Sequence, residues 1–297
     1  MPTAHINGVN IYYEVTGDGS PLVFCHEFAG SYESWERQVQ FFSQKYKVIT
    51  YNARGYPPSD VPEDLDSYSQ EIAIEDLRQL LQHLEIDRAY ICGLSMGGNV
   101  ALNFGIAHPS MARALVVAGT GTGSTDPDRF RKEIDKEAAR LETEGMESQD
   151  AYLRSPTRVQ LLRKDRKAWE ECTRLFSMHS ALGSALILRG VLARRPPIFD
   201  LKPKLRKLKV STLIMVGDED YPCIEPAIFM KRHISTSGLL VFPQTGHTLN
   251  LEEPQLFNHS VQSFFSAVEE GRWADNDADA SADFLISSEA KGSGGKR

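Results

Sequence analysis

Ala89-Tyr90-Ile91-Cys92-Gly93-Leu94-Ser95-Met96-Gly97-Gly98-Asn99-Val100 joins a short apolar run to a helix-forming run through a serine flanked by glycines. Residues 89–92 read as a buried strand and 97–107 as a helix, so Gly93-Leu94-Ser95-Met96-Gly97 occupies the turn between them. A serine in such a turn is held in a strained conformation that lifts its hydroxyl clear of the sheet. Side chains two residues to either side would collide, so only Gly or Ala fits there. The N-terminus of the following helix favours negative charge developing at Ser95. G-x-S-x-G alone is a common string; between a strand and a helix it reads as a nucleophile elbow.

Outward from this turn, short apolar runs alternate with helix-period stretches, the pattern of a mostly parallel sheet with helices on both faces. Strands are predicted at 11–15, 22–25, 47–51, 89–92, 114–118, 212–216 and 239–242. Most are continuous Val/Ile/Leu runs, as strands buried on both faces are. Residues 5–15 differ: Asn7-Gly8 between two apolar stretches predicts an antiparallel hairpin at the sheet edge. Over 67–85, Ala73, Leu77, Leu80, Leu81 and Leu84 recur at helical spacing, with Asp66 or Ser67 as cap. Further helices are predicted at 35–42, 226–233 and 254–268, the last two with Pro in the first turn.

The alternation stops between Thr122 and Asp200, where helical segments carry 15 Lys/Arg against 13 Asp/Glu in a chain of net charge −7. Mixed signs at helical spacing mean solvated faces. The expected organisation is a core of residues 1–121 and 205–270, a helical cap inserted at 122–204, and a tail without order at 271–297.

At 297 residues, 41% hydrophobic and 25% charged, the chain is long enough for a full core and is neither disordered nor collagen-like. Basic residues are scattered, which argues against a nucleic-acid partner. No apolar run reaches the roughly 18 residues a membrane span needs. The opening Met1-Pro2-Thr3-Ala4-His5 lacks secretory-signal features. Cys25, Cys92, Cys172 and Cys223 lie 67, 80 and 51 residues apart, without metal-site or disulfide spacing. A soluble cytoplasmic protein with free thiols is expected. No two histidines have the spacing of a metal site, and no cofactor is expected; the oligomeric state stays open.

A serine hydroxyl needs a base within hydrogen-bond reach, and the base needs an orienting carboxylate. After an elbow serine these follow in the order acid, then histidine. Gly217-Asp218-Glu219-Asp220 follows the strand at 212–216, and Gln244-Thr245-Gly246-His247 follows that at 239–242. Both lie beyond carboxyl ends of strands, the edge that also carries Ser95, where open α/β sheets bind ligands.

With these motifs the chain resembles the α/β-hydrolase superfamily, in particular its small capped bacterial serine esterases and enol-lactonase-like members. The resemblance rests on Cys25-His26-Glu27-Phe28-Ala29-Gly30, Asn52-Ala53-Arg54-Gly55, the elbow, Gly217-Asp218-Glu219-Asp220 and the stretch from Gly246-His247 to Pro254. It spans residues 5–121 and 205–268 and implies the α/β-hydrolase fold. It assigns Ser95 as nucleophile, His247 as general base and Asp220, at the fourth position of G-x-x-D, as the acid; Asp218 and Glu219 are then turn carboxylates. It also assigns the oxyanion hole to the backbone N–H groups of Phe28 and Met96, each donor worth about 3 kcal/mol in the transition state.

The chain departs from the family at Glu27, where Gly usually follows the motif histidine; Glu27 is expected to turn away and pair locally, with a role in positioning water or substrate as the alternative. Asn52 replaces a common Asp, and Tyr56-Pro57-Pro58 stiffens a loop that is usually Gly-rich. His26 is expected to fix its loop by hydrogen bonds. Phe130, Tyr152, Trp169, Phe176 and Met178 are candidates to line an apolar acyl pocket. The expected function is cleavage of a small, largely apolar carboxylic ester or lactone through an acyl-enzyme on Ser95. The same triad also suits thioester, amide or carbon–carbon bond cleavage or perhydrolysis, and a hydrolase-fold small-ligand receptor with little turnover is the alternative of another class.

Overall fold

A computed structural model describes residues 2–146 and 150–275. Eight strands form one sheet: β1 (Thr3–Ile6), β2 (Val9–Thr16), β3 (Ser20–Cys25), β4 (Tyr46–Tyr51), β5 (Ala89–Leu94), β6 (Ala112–Ala118), β7 (Thr212–Gly217) and β8 (Ser237–Phe242). Their order is β1-β2-β4-β3-β5-β6-β7-β8. β1 and β2 are antiparallel through the Asn7-Gly8 turn, both residues at positive φ, and β2 is antiparallel to β4; every other pairing is parallel. The expected α/β-hydrolase architecture is therefore present.

From β3 to β7 the apolar residues of each strand alternate between two cores, whereas β1 and β2 give Ala4, Ile6, Val9 and Ile11 to one of them only. On one face β strands pack beneath α2 (Gln70–His83), α3 (Met96–Ala107) and α10 (Tyr221–His233), through residues such as Leu77, Leu80, Phe104 and Met230. On the other, Trp35, Phe42, Phe257 and Phe265 bring in α1 (Glu36–Phe42) and α12 (Pro254–Glu269). Central strands β5 and β7 are buried at every position, which is why they read as unbroken apolar runs.

Two helix starts differ from expectation. α2 begins at Gln70, with Ser69 Oγ accepting from Ile72 N–H (3.1 Å); residues 65–67 form a separate 3₁₀ turn capped by Asp64. α10 begins at Tyr221, so Pro222 lies in its first turn and Pro226 falls inside the helix. Pro226 is accommodated there against Gly121, where a Cβ would lie 2.4 Å from the proline.

Between β6 and β7 the chain is helical: α4 (Pro127–Glu144), α5 (Asp150–Leu153), α6 (Val159–Lys164), α7 (Arg166–Ser177), α8 (Ala181–Ile187) continuing into a π-helical turn at Leu188–Leu192, and α9 (Lys202–Leu205). Leu141, Phe176, Leu186 and Leu188 share a third apolar cluster with Phe28, Tyr56, Tyr68 and Met96 of the sheet's loops. No single helix among the described residues is long and apolar enough to cross a membrane.

The segment expected to be without order from residue 271 begins with residues that are tied down. Trp273 donates its indole N–H to Thr236 O (2.8 Å), packs edge-on to Phe264 and lies over Gly238. Residues 276–297 of that expected tail lie outside the described residues.

Candidate active site

The turn from β5 into α3 places Ser95 at φ +55°, ψ −111°, with its N–H donating to Ala118 O (2.8 Å). Backbone crowding enforces this turn. A Cβ at Gly93 would meet Gly97 O at 2.1 Å, and one at Gly97 would meet Cys25 O at 2.0 Å. Neither position therefore admits alanine, a tighter demand than the sequence pattern alone implied.

β7 and β8 deliver the two partners. His247 Nε2 lies 2.8 Å from Ser95 Oγ, and His247 Nδ1 lies 2.7 Å from Asp220 Oδ2. An ionised carboxylate only accepts, so Nδ1 carries the proton and Nε2 accepts from the serine hydroxyl. Burial works to raise the Asp220 pKa, but the charge and hydrogen bond of His247, with the Cys223 thiol and the Arg158 guanidinium, hold it below the usual range. Asp220 is the N-cap residue of α10 yet makes no capping bond, because its side chain is turned to His247. Asp218 and Glu219 turn elsewhere: Asp218 Oδ1 accepts from Thr245 N–H (3.1 Å), and Glu219 Oε2 from Gln160 Nε2 (2.6 Å).

The backbone N–H groups of Phe28 and Met96 have no acceptor among the described residues. Met96 N–H is an unpaired amide at the start of α3, a natural anion seat. Both residues are buried, and Phe28 meets Tyr152 edge-on at 6.0 Å, joining the loop to the helical insertion.

His26 is locked in place. Nδ1 donates to Glu27 O (2.7 Å) and Nε2 accepts from Ala53 N–H (3.0 Å); burial pushes its pKa down to about 4. Glu27 is buried too, and burial raises its pKa against the pull of its own backbone N–H, Arg158 and Ser34. Its carboxyl group folds over Gly30, where a Cβ would come within 2.5 Å of it. It borders a small cavity of about 30 Å³ with Trp169, Cys172 and Phe176, separate from the space over Ser95. Asn52 ties two loops, accepting from Tyr32 N–H (2.8 Å) and donating to Pro57 O (2.7 Å).

Above Ser95 lies a cavity of about 380 Å³, bordered by Phe28, Phe130, Tyr152, Arg158, Arg195 and His247 among others. Of the aromatic and Met candidates, Phe130 and Tyr152 reach it, Trp169 and Phe176 line the neighbouring small cavity, and Met178 is 65% exposed.

Several contributors were not legible in the sequence. Glu252, wholly buried, accepts from Gly246 N–H (2.7 Å) and from Thr248 N–H and Oγ (both 3.0 Å), which shapes the loop carrying His247. Thr157 of the insertion accepts from His247 N–H (2.7 Å) and would clash with any Cβ at residue 246, which explains the glycine before the histidine. Arg158 and Arg195 enter the cavity from the insertion. Among the described residues the one cluster of three side chains suited to a metal is Asp220, Cys223 and His247, two of which already bond each other. The four cysteines are free, and all but the half-buried Cys172 are buried.

Residues 20–254 match the family described as alpha/beta hydrolase fold. The chain is 27% identical over 259 residues to 3-oxoadipate enol-lactonase 2 of Acinetobacter baylyi, covering 83% of this chain and 88% of the relative. Among solved structures, a thermophilic esterase from Thermogutta terrifontis superposes with a TM-score of 0.81 at 24% identity, over 90% of this chain and 98% of the other. The enol-lactonase of Burkholderia xenovorans LB400 superposes with a TM-score of 0.80 at 22% identity, over 89% and 100%. The family match spans most of the chain, from the strand before His26 to the start of α12, and the chain belongs to the α/β hydrolase fold family.

Proposed function

We propose that the protein is a serine hydrolase that cleaves a carboxylic ester or lactone through an acyl-enzyme on Ser95. The observation that carries this reading is the continuous chain from Ser95 Oγ through His247 to Asp220, opening on a cavity into which Phe28 also projects. Ser95 Oγ attacks the acyl carbonyl while His247 Nε2 takes its proton. Asp220 holds the ring in the correct tautomer and balances its charge. The amides of Phe28 and Met96 receive the oxyanion. The tetrahedral intermediate collapses, and His247 returns the proton to the leaving alkoxide. Water then attacks the acyl-enzyme with His247 again as base, releasing the acid and Ser95. Likeness to an enol-lactonase along most of both chains supports an ester or lactone over other acyl bonds.

Initial rates on p-nitrophenyl esters from acetate to decanoate test the reading. Wild type is expected to turn over, and Ser95→Ala to lose on the order of 10⁴-fold or more in kcat. An unchanged rate in Ser95→Ala would remove Ser95 from the chemistry.

A further inference from the structure

The chain reverses sharply at residues 27–30, in the loop after β3. Gly30 N–H donates to Glu27 O (3.0 Å), which closes a four-residue turn, and Ala29 inside it sits at φ +55°. That left-handed conformation favours glycine, so the turn persists only because its surroundings hold it. Three rings supply the hold. His26 Nδ1 donates to Glu27 O (2.7 Å), the Tyr56 hydroxyl accepts from Ala29 N–H (2.8 Å), and His179 Nε2 donates to Ala29 O (3.0 Å). A carbonyl only accepts, so His179 carries its proton on Nε2. The rings also support one another: wholly buried Tyr56 lies edge-on to His26 at 5.0 Å and to His179 at 4.9 Å.

Each ring pins a different peptide plane. In a trans peptide the C=O and N–H point in opposite directions, so two donors on Glu27 O fix the direction of the Phe28 N–H in the same plane. Tyr56 holds the next plane through Ala29 N–H. His179 holds the third through Ala29 O, and the N–H of that plane belongs to Gly30 and closes the turn. Of the three amides of residues 28–30, only that of Phe28 has no acceptor among the described residues, and Phe28 borders the cavity over Ser95. Tyr56 comes from the loop after β4, and His179 from the insertion, between α7 and α8.

We propose that Tyr56 and His179 are positioning residues of the oxyanion hole, holding the two peptide planes that meet at Ala29 so that the Phe28 amide stays aimed at the oxyanion formed on Ser95. The proposal rests on the ester or lactone reading, in which Phe28 receives that oxyanion. It gives the insertion a part in the geometry of the hole, through His179, as well as in the walls of the cavity.

Tyr56→Phe deletes one oxygen and keeps the ring, and His179→Leu removes the donor at similar size. Each is expected to lower kcat and kcat/KM on p-nitrophenyl butyrate together, on the order of tenfold, with KM within about twofold. That is the signature of an interaction weakened only in the transition state. His179→Gln keeps an N–H donor and should recover most of the His179→Leu loss. A rise in KM alone, or rates of Tyr56→Phe and His179→Leu within about twofold of wild type, overturns the proposal. All rates are taken well below each variant's melting temperature, so that lost fold is not read as a lost hole.

Hexyl trifluoromethyl ketone reads the hole without turnover, because addition of Ser95 gives a hemiketal whose oxygen carries the negative charge. Calorimetric titration should show it bound about tenfold more weakly by Tyr56→Phe and His179→Leu than by wild type, with His179→Gln close to wild type. If wild type hydrolyses no ester, the ester reading fails by itself and the ketone still decides the hole. The same weakening then supports the proposal, whereas equal affinity across the variants, or binding that Ser95→Ala does not weaken, overturns it; so does no binding at all.

Discussion

At Ser95 the backbone takes a conformation that glycine tolerates and serine resists, of the kind that costs about 1–3 kcal/mol. The surroundings hold it there: Ala118 O takes its N–H, and the backbone of Gly97 lies against Cys25. The strain aims Oγ at His247, and the two aspartates of the 217–220 turn then divide by direction. Asp220 faces the imidazole and Asp218 the amide of Thr245. Asp220→Asn removes the charge that fixes the tautomer and is expected to lower kcat about 10⁴-fold. Asp218→Asn keeps an oxygen for the Thr245 amide and is expected to leave kcat within a few-fold. Steady-state rates of the two variants on one ester check the assignment, and equal losses would contradict it.

Among the elements, the short helix α11 (Leu249–Glu252) does more than link β8 to α12. It returns the Glu252 carboxylate to three donors of residues 246–248, with Lys164 Nζ 3.9 Å away. Burial raises the Glu252 pKa, while the hydrogen bonds from Gly246 and Thr248 oppose that rise. Glu252→Gln replaces one accepting oxygen by an NH₂ group that faces other donors. Such a loss of a buried acceptor costs about 1–3 kcal/mol. Thermal denaturation should therefore show a melting temperature lower by several degrees. Steady-state kinetics should show kcat falling more than KM rises, because the displaced loop carries His247 and not the substrate. A KM effect alone would place Glu252 in binding.

For the whole molecule, the helical insertion and the sheet's loops meet through residues whose charge states depend on burial. His179 of the insertion bonds Ala29 O through Nε2 (3.0 Å) and stacks edge-on against Tyr56, while Tyr56 OH accepts from Ala29 N–H (2.8 Å). Burial drives both His179 and His26 down to about 4. Unfolding restores an ordinary value near 6.5, so the unfolded chain binds more protons between pH 6.5 and 4. This contribution to stability is complete above about pH 6.5 and is lost as the pH falls toward 4. Glu27 and Glu252, raised by burial, work in the opposite sense as the pH rises above their ordinary value. The comparison of variant with wild type isolates the histidine. His179→Gln should shrink the loss of urea stability between pH 7 and pH 5 by about 1–2 kcal/mol. An identical loss in both proteins would mean that His179 is not held neutral in the fold.

Local periodicity and chain order govern the part of the protein that can be read from the residues before folding. Unbroken apolar runs are the direct signature of strands buried on both faces, so β5, β6 and β7 were legible, as was the Asn7-Gly8 hairpin. The elbow was legible because its glycines answer a backbone collision within a few residues. Helix starts were misplaced where a short 3₁₀ turn or an internal proline intervened, as at Ser69 and Pro226, because caps are chosen by the path of the preceding chain. The folded chain was needed to set Glu27 over Gly30, to bring Glu252 under the loop of His247, and to support that loop with Thr157 from the insertion. It alone set the Arg195 guanidinium beside the space over Ser95 without an acidic partner among the described residues. Thr157 and Arg195 meet parts of the chain far from them in sequence, and Glu27 and Glu252 fold back on loops only a few residues away. The energies of these contacts depend on burial and on what faces each polar atom, and neither has a period that a sequence can display.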